Sequence, residues 1–202
     1  TVSVAAFRAY MKEIGIPPAF CAGHSLGEIS ALTCSGAIEF TDTLKLVKKR
    51  GQLMQEAVPI GSGGMASISG IDVKVIKDIC EKISTDESIV VISNYNTSKQ
   101  IVISGHNEAV EIAAAKFDDM GAKVIPLKVS APFHSPLMKP AADKFKKELR
   151  KYKFSPLKYP VISNITAKPY QGIDDIVENL SLQLIESVRW LESMEYMTDE
   201  GV

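Results

Sequence analysis

The chain has 202 residues, 23 Lys and Arg against 24 Asp and Glu, a net charge of −1 and three cysteines. That length suffices for one large domain or a main domain with a smaller inserted one, and the charge balance removes any global electrostatic case for nucleic acid or an anionic membrane as partner. Cys21, Cys34 and Cys80 are odd in number and irregularly spaced among apolar neighbours, so reduced core thiols of a cytoplasmic protein are expected, with no metal, and the apolar runs are too short for a membrane-spanning helix.

Residues 2–13 set Val4, Phe7, Tyr10 and Met11 at helical spacing, Ile16-Pro17-Pro18 breaks the pattern, and Ala19–Ala22 reads as a short buried strand. Gly23-His24-Ser25-Leu26-Gly27 follows at once and leads into a helix from Leu26 to about Gly36. A serine between two glycines at a strand-to-helix turn reads as a nucleophile elbow: Gly23 and Gly27 let the backbone pass close to itself and Ser25 Oγ stands at the apex. The N–H of Leu26, free at the positive end of the helix, is then a candidate oxyanion donor. The pentapeptide alone also fits a purely structural turn. A second helix runs from about Thr41 to before Pro59, with an apolar stripe of Leu44, Val47, Gly51, Met54 and Val58. Arg50 has Leu46, Val47, Leu53 and Met54 as its neighbours, so it must snorkel, pair with an internal carboxylate or meet an anionic ligand. Lys45, Lys48 and Lys49, like Lys146, Lys147 and Lys151, read as solvated faces.

Between Gly61 and Pro126 the units shorten: strand Met65–Ser69, helix Val73–Ile83, strands Ile89–Asn94 and Gln100–Ser104, helix Asn107–Met120 and strand Lys123–Leu127. This β-α-β-β-α-β order predicts a ferredoxin-like subdomain over residues 61–126, entered through a flexible Gly61-Ser62-Gly63-Gly64 linker and inserted in an α/β core formed by residues 1–60 and 127–202. An insertion beside an elbow makes one wall of a cleft. The chain re-enters the core through Val129-Ser130-Ala131-Pro132-Phe133-His134-Ser135-Pro136, where Ser135 as N-cap and Pro136 at the first position start a helix to about Lys151. A strand, Tyr159–Asn164, precedes a final helical region containing Gln183, Arg189 and Trp190. Among the histidines, His106 suits a surface or capping place, His24 a pocket lining, and His134 the base that a serine hydroxyl needs, although a structural loop histidine fits the spacing equally. Glu28 suits the helix dipole, Asn94 and Asn96 fit Asx turns as well as a cleft, and Met138 suits the core.

Three separated motifs, Gly23-His24-Ser25-Leu26-Gly27-Glu28, Arg50-Gly51-Gln52-Leu53-Met54-Gln55 and Ala131-Pro132-Phe133-His134-Ser135-Pro136-Leu137-Met138, resemble the malonyl-CoA:acyl-carrier-protein transacylases of stand-alone type. Asn94-x-Asn96 with Gln100–Gly105, Ser163–Ala167, and Gln183 with Val188-Arg189-Trp190 extend the likeness over nearly the whole chain. The resemblance implies an α/β-hydrolase-like core with a parallel sheet. It also implies ping-pong transfer of a malonyl group from malonyl-CoA to the phosphopantetheine thiol of an acyl carrier protein, for fatty acid or polyketide synthesis, with no cofactor. Ser25 would be the nucleophile and His134 the base, Leu26 an oxyanion donor, and Arg50 the clamp on the malonyl carboxylate. His24 and Asn96 would face substrate, and a main-chain carbonyl near Gln183 would support His134. An acyl-carrier-protein thioester hydrolase on the same elbow and a non-catalytic docking domain are the alternatives. The family's N-terminal strand with its oxyanion-hole glutamine, and its C-terminal strand, have no counterpart, so the working protein is expected to be longer at both ends and this segment alone to be unstable or nearly inactive.

Overall fold

The computed structural model describes residues 1–129 and 131–202, so Ser130 of the re-entry segment lies outside the described residues. It is an α/β structure whose helices are α1 (Val2–Glu13), α2 (Leu26–Cys34), α3 (Phe40–Gln55), α4 (Val73–Ile83), α5 (Asn107–Asp119), α6 (Lys139–Leu149), α7 (Ile173–Leu182) and α8 (Trp190–Asp199). Its strands β1 (Gly63–Ser69), β2 (Val90–Thr97), β3 (Gln100–His106) and β4 (Lys123–Pro126) form one sheet in the order β2-β3-β1-β4, each neighbour antiparallel. The β1-α4-β2-β3-α5-β4 sequence is the predicted order. Ile68 and Ile103 from the sheet and Ile76 and Phe117 from α4 and α5 are fully buried together, because strands of period two and helices of period 3.6 each turn one apolar face inward. No helix of the described residues is long and apolar enough to cross a membrane.

A second core gathers Ile29 and Leu32 of α2, Leu46 and Leu53 of α3, Phe145 and Leu149 of α6 and Leu180 of α7. The buried face of α3 is Thr43, Leu46, Arg50, Leu53 and Met54, not the predicted stripe: Leu44 and Gly51 are exposed. The reason is that α3 packs against both α2 and α6, which turns the stripe toward Leu46 and Leu53, while Arg50 lies among apolar neighbours as its sequence surroundings imply.

The predicted parallel sheet contracts to single bridges among the described residues: Cys21 with Val161 and Asn94 with Val188 are parallel, and Ile162 with Pro169 antiparallel. The strand expected over Ala19–Ala22 is therefore the one residue Cys21, held by Cys21 N–H to Pro160 O at 2.7 Å and Ile162 N–H to Cys21 O at 3.0 Å. Pro18 and Pro160 have no N–H to extend a ladder, and Gly23 departs into the elbow. The final helical region is likewise broken, into α7 and α8. Between them Val188 accepts from Tyr95 N–H and donates to Ser93 O, both at 2.9 Å, and Ser187 Oγ donates to Ile92 O at 2.6 Å. These bonds tie β2 to the segment that carries Gln183.

Half of the expected Gly61–Gly64 linker is sheet, since Gly63 and Gly64 pair with His106 and Gly105. A Cβ on Gly63 would stand 2.3 Å from Pro132 Cδ, so glycine there is a packing requirement that seats the loop carrying His134. The three cysteines are free thiols, and burial pushes Cys21 up to about 11 and Cys80 to about 12.

Candidate active site

The elbow at Ser25 is built by exclusion and then clipped. A Cβ on Gly23 would lie 2.1 Å from the carbonyl carbon and oxygen of Gly27, whereas one on Gly27 would meet nothing within 4 Å. The steric demand thus rests on Gly23 alone, and Gly27 is the backbone it must pass. Ser25 takes φ 52° and ψ −105°, a conformation that costs on the order of 1–3 kcal/mol for a side-chain-bearing residue and persists only where neighbours impose it. Asn164 supplies that constraint: its Oδ1 accepts from Ser25 N–H at 2.7 Å and its Nδ2 donates to Gly23 O at 2.9 Å. Leu26 carries the first amide of α2, which has no intrahelical acceptor and lies at the positive end of the helix.

His134 also has a positive φ, 56°, and so both members of the Ser25–His134 pair sit on strained backbone. The expected capping by Ser135 is not made: its Oγ turns back to Pro132 O at 2.6 Å, and the predicted helix starts instead as a 3-10 turn, Pro136–Met138, before α6. Met138 is fully buried in the core, as expected. The loop places His134 Nε2 2.8 Å from Ser25 Oγ and His134 Nδ1 2.7 Å from the main-chain oxygen of Gln183. A carbonyl only accepts, so Nδ1 carries the proton and Nε2 offers its lone pair to the serine hydroxyl. The support expected near Gln183 is this carbonyl.

Arg50 reaches the same atoms. Its Nη2 donates to Ser25 Oγ at 3.0 Å and to Gln183 Oε1 at 2.8 Å. The side chain is 5% exposed, its Nε is buried without a partner, and among the described residues no carboxylate lies within the 4.0 Å of an ion pair. A direct ion pair and the snorkel are therefore both excluded, and among the described residues the one carboxylate that acts on Arg50, Glu28, does so across the Gln183 amide. A cavity of about 360 Å³ lies here, lined by Ser25, His134, Arg50, Met54, Met65 and Phe133 among others.

His24 and Asn94 also line that cavity, and Asn96 does not. Asn96 Oδ1 accepts instead from His24 Nε2 at 3.0 Å, while the His24 ring packs on Trp190 at 5.5 Å between centroids. His106 is the N-cap residue of α5, but its Nδ1 accepts from Ile89 N–H rather than capping the helix. Glu28 departs furthest from expectation. It is in the first turn of α2, yet it is 0% exposed and accepts from the Tyr170 hydroxyl and from Gln183 Nε2. A helix-dipole role explains a surface glutamate, not this one. Tyr170 and the clipping role of Asn164 had no signal in spacing; the Ser163–Ala167 segment was visible only as a resemblance.

Burial sets the protonation states. It draws His134 down to about 3, with the nearby Arg50 charge adding to the effect, so the imidazole is a neutral base at pH 7. Burial also lowers Arg50 to about 10, against the opposing pull of Glu28, and the guanidinium stays charged. Glu28 is pushed up to about 7 by burial, opposed by its hydrogen bonds to Tyr170 and Gln183. The depressed His134 contributes stability that is complete above its ordinary 6.5 and lost as pH falls towards 3. The raised Glu28 has the opposite sign: its contribution is complete below 4.5 and lost as pH rises through 7. The two oppose each other between those ordinary values, and below 4.5 His134 acts alone. Because Glu28 is common to both, melting temperatures recorded from pH 7 to 3 should fall more steeply for the native protein than for His134→Gln, the difference opening near pH 6.5 and growing towards pH 3; parallel curves would contradict a histidine held neutral by burial.

A model of the acyl transferase domain family matches residues 1–184. The chain is 46% identical over 202 residues to a malonyl CoA-acyl carrier protein transacylase of Bacillus subtilis, covering all of this chain and 50% of that protein. The crystal structure of FabD from Acinetobacter baumannii superposes with a TM-score of 0.96 at 38% identity, over 99% of this chain and 64% of that one. A type II polyketide acyl-carrier protein in complex with its malonyl-transacylase gives a TM-score of 0.95 at 44% identity, over 99% and 65%. The chain thus spans one half to about two thirds of the length of these relatives.

Proposed function

Because the chain belongs to the acyl transferase domain family, we propose that the protein moves a malonyl group from malonyl-CoA to the phosphopantetheine thiol of an acyl carrier protein through an ester on Ser25. Ser25 Oγ attacks the thioester carbonyl while its proton passes to His134 Nε2, 2.8 Å away. The tetrahedral oxyanion lies at the Leu26 N–H. On collapse the C–S bond breaks and the CoA sulfur leaves with the proton held on His134. The carrier thiol then gives its proton to His134 Nε2, attacks the ester, and returns Ser25 to its hydroxyl form. Arg50 pairs with the distal carboxylate of the acyl group. Thioester exchange of this kind needs no metal or cofactor.

The observation that carries the reading is Arg50: a buried guanidinium beside Ser25 Oγ, without a carboxylate partner of its own, is matched by an acyl group with an anionic end. The names of the relatives support the same substrate pair. The β2-β3-β1-β4 order supports taking residues 61–126 as a ferredoxin-like subdomain inserted in an α/β-hydrolase-like core of residues 1–60 and 127–202. The free thiols, of which only Cys80 is fully buried, support the cytoplasm as the compartment.

The reading is tested by initial rates with malonyl-CoA and a phosphopantetheinylated carrier protein, each varied at fixed levels of the other. Parallel double-reciprocal lines and a malonyl mass increase on the carrier are expected. Free malonate with an uncharged carrier would assign a hydrolase, and neither product a docking domain.

A further inference from the structure

Gln183 touches both halves of the site, and the direction in which its amide points has a physical cause. Nε2 is set among three oxygen acceptors, Ser25 O at 3.1 Å, Asn164 Oδ1 at 3.5 Å and Glu28 Oε2, while Oε1 faces the Arg50 guanidinium at 2.8 Å. Turned over, the amide would set an oxygen against three acceptors and an NH₂ against a cation. Two of those acceptors are already engaged, Ser25 O by the Glu28 N–H at 3.0 Å and Asn164 Oδ1 by the Ser25 N–H at 2.7 Å. The Glu28 carboxylate is the strongest remaining determinant. It is held in turn by the Tyr170 hydroxyl on its other oxygen, and it does not line the cavity.

We infer that Glu28 is a positioning residue for acyl selection: by accepting from Gln183 Nε2 it locks the Gln183 amide with its oxygen toward Arg50 and so holds the guanidinium where the anionic end of the acyl group must bind. The order of the relay is Tyr170, Glu28, Gln183, Arg50, running from the core to the cavity. Glu28 also accepts from the Asn164 main-chain N–H, and of its contacts Gln183 is the one that bonds Arg50. The inference rests on the acyl-transfer reading above, and it adds to it a determinant of selectivity that never meets substrate.

The test compares Ser25 loading from malonyl-CoA and from acetyl-CoA in the native protein, in Glu28→Gln and in Tyr170→Phe, with melting temperatures alongside. Glu28→Gln nearly conserves shape but can donate, which releases the lock. It should raise the KM for malonyl-CoA by about tenfold while acetyl-CoA loading changes by less than about threefold, and Tyr170→Phe should move the malonyl KM the same way by about threefold. A wild-type malonyl KM in Glu28→Gln, or equal losses with the two thioesters, would overturn the inference. If Glu28→Gln does not fold, Tyr170→Phe decides, and an unchanged malonyl KM there overturns it. Failure of the native protein itself to take a malonyl group would overturn the acyl-transfer reading and this inference together, and is recognised because it appears without any substitution.

Discussion

Replacing Arg50 with alanine should collapse the preference for malonyl over acetyl groups. The loss in malonyl kcat/KM is expected to be about 10²–10³-fold, the equivalent of roughly 3–4 kcal/mol, as for truncating one partner of a desolvated ion pair. Acetyl loading should hold or rise, for a reason that lies in His134 rather than in the cavity. Burial is the main cause that depresses the imidazole and the Arg50 charge adds to it, so in the free site that charge opposes the proton transfer from Ser25. A malonyl carboxylate on Arg50 would offset that smaller contribution as it binds, while the larger one, burial, would remain. An acetyl group offsets neither. Under the proposed function, diacid selection would then be expressed partly in the chemical step as well as in binding, and Arg50→Ala should remove the clamp together with the Arg50 share of the penalty. Arg50→Lys should recover only part of the malonyl rate, because an ammonium supplies a charge without the planar fork. Loading assays with the two thioesters check this, and unchanged malonyl selectivity in Arg50→Ala would refute the proposed role.

Ser25→Ala should abolish ester formation outright and lower transfer by at least about 10⁴-fold, since no second nucleophile can take its place in a covalent scheme. His134→Ala should cost about 10²–10⁴-fold or more, because the Ser25 hydroxyl then has no base and Arg50 Nη2 alone cannot accept its proton. The two losses should not add: in the double variant the rate is expected near that of Ser25→Ala, as for residues that act as a unit. Multiplicative losses would mean that the 2.8 Å contact between Oγ and Nε2 is not the path of the proton. Single-turnover measurements on the three variants make the comparison, and retained melting temperatures show that the fold survives.

The elements that position this pair were legible in the sequence to different degrees, and for physical reasons. The order of α4, α5 and β1–β4 could be read, with boundaries within three residues, because short alternating strands bounded by Gly70 and Gly121 and amphipathic helices carry their period locally. The elbow was legible because a steric demand selects glycine at position 23, although sequence could not say that Gly27 is only the backbone that Gly23 passes. The α3 stripe was misplaced because burial there is decided by two neighbouring helices, and a long arginine within the buried face dilutes the apolar period. The parallel pairing shrank to bridges because apolar runs announce burial but not the extent of a ladder. Glu28, Asn164 and Tyr170 were not legible as site residues. Their partners lie 139 to 155 positions away along the chain, and a buried carboxylate next to a helix start looks, in sequence, the same as a solvated one.

The most direct test of the central claim is intact-mass spectrometry of the protein after brief exposure to malonyl-CoA, beside Ser25→Ala and with acetyl-CoA in a parallel sample. A single malonyl-sized adduct that needs Ser25, outcompeting acetyl, is the predicted result. A malonyl adduct that persists in Ser25→Ala, or a native protein that takes acetyl as readily as malonyl, would contradict it.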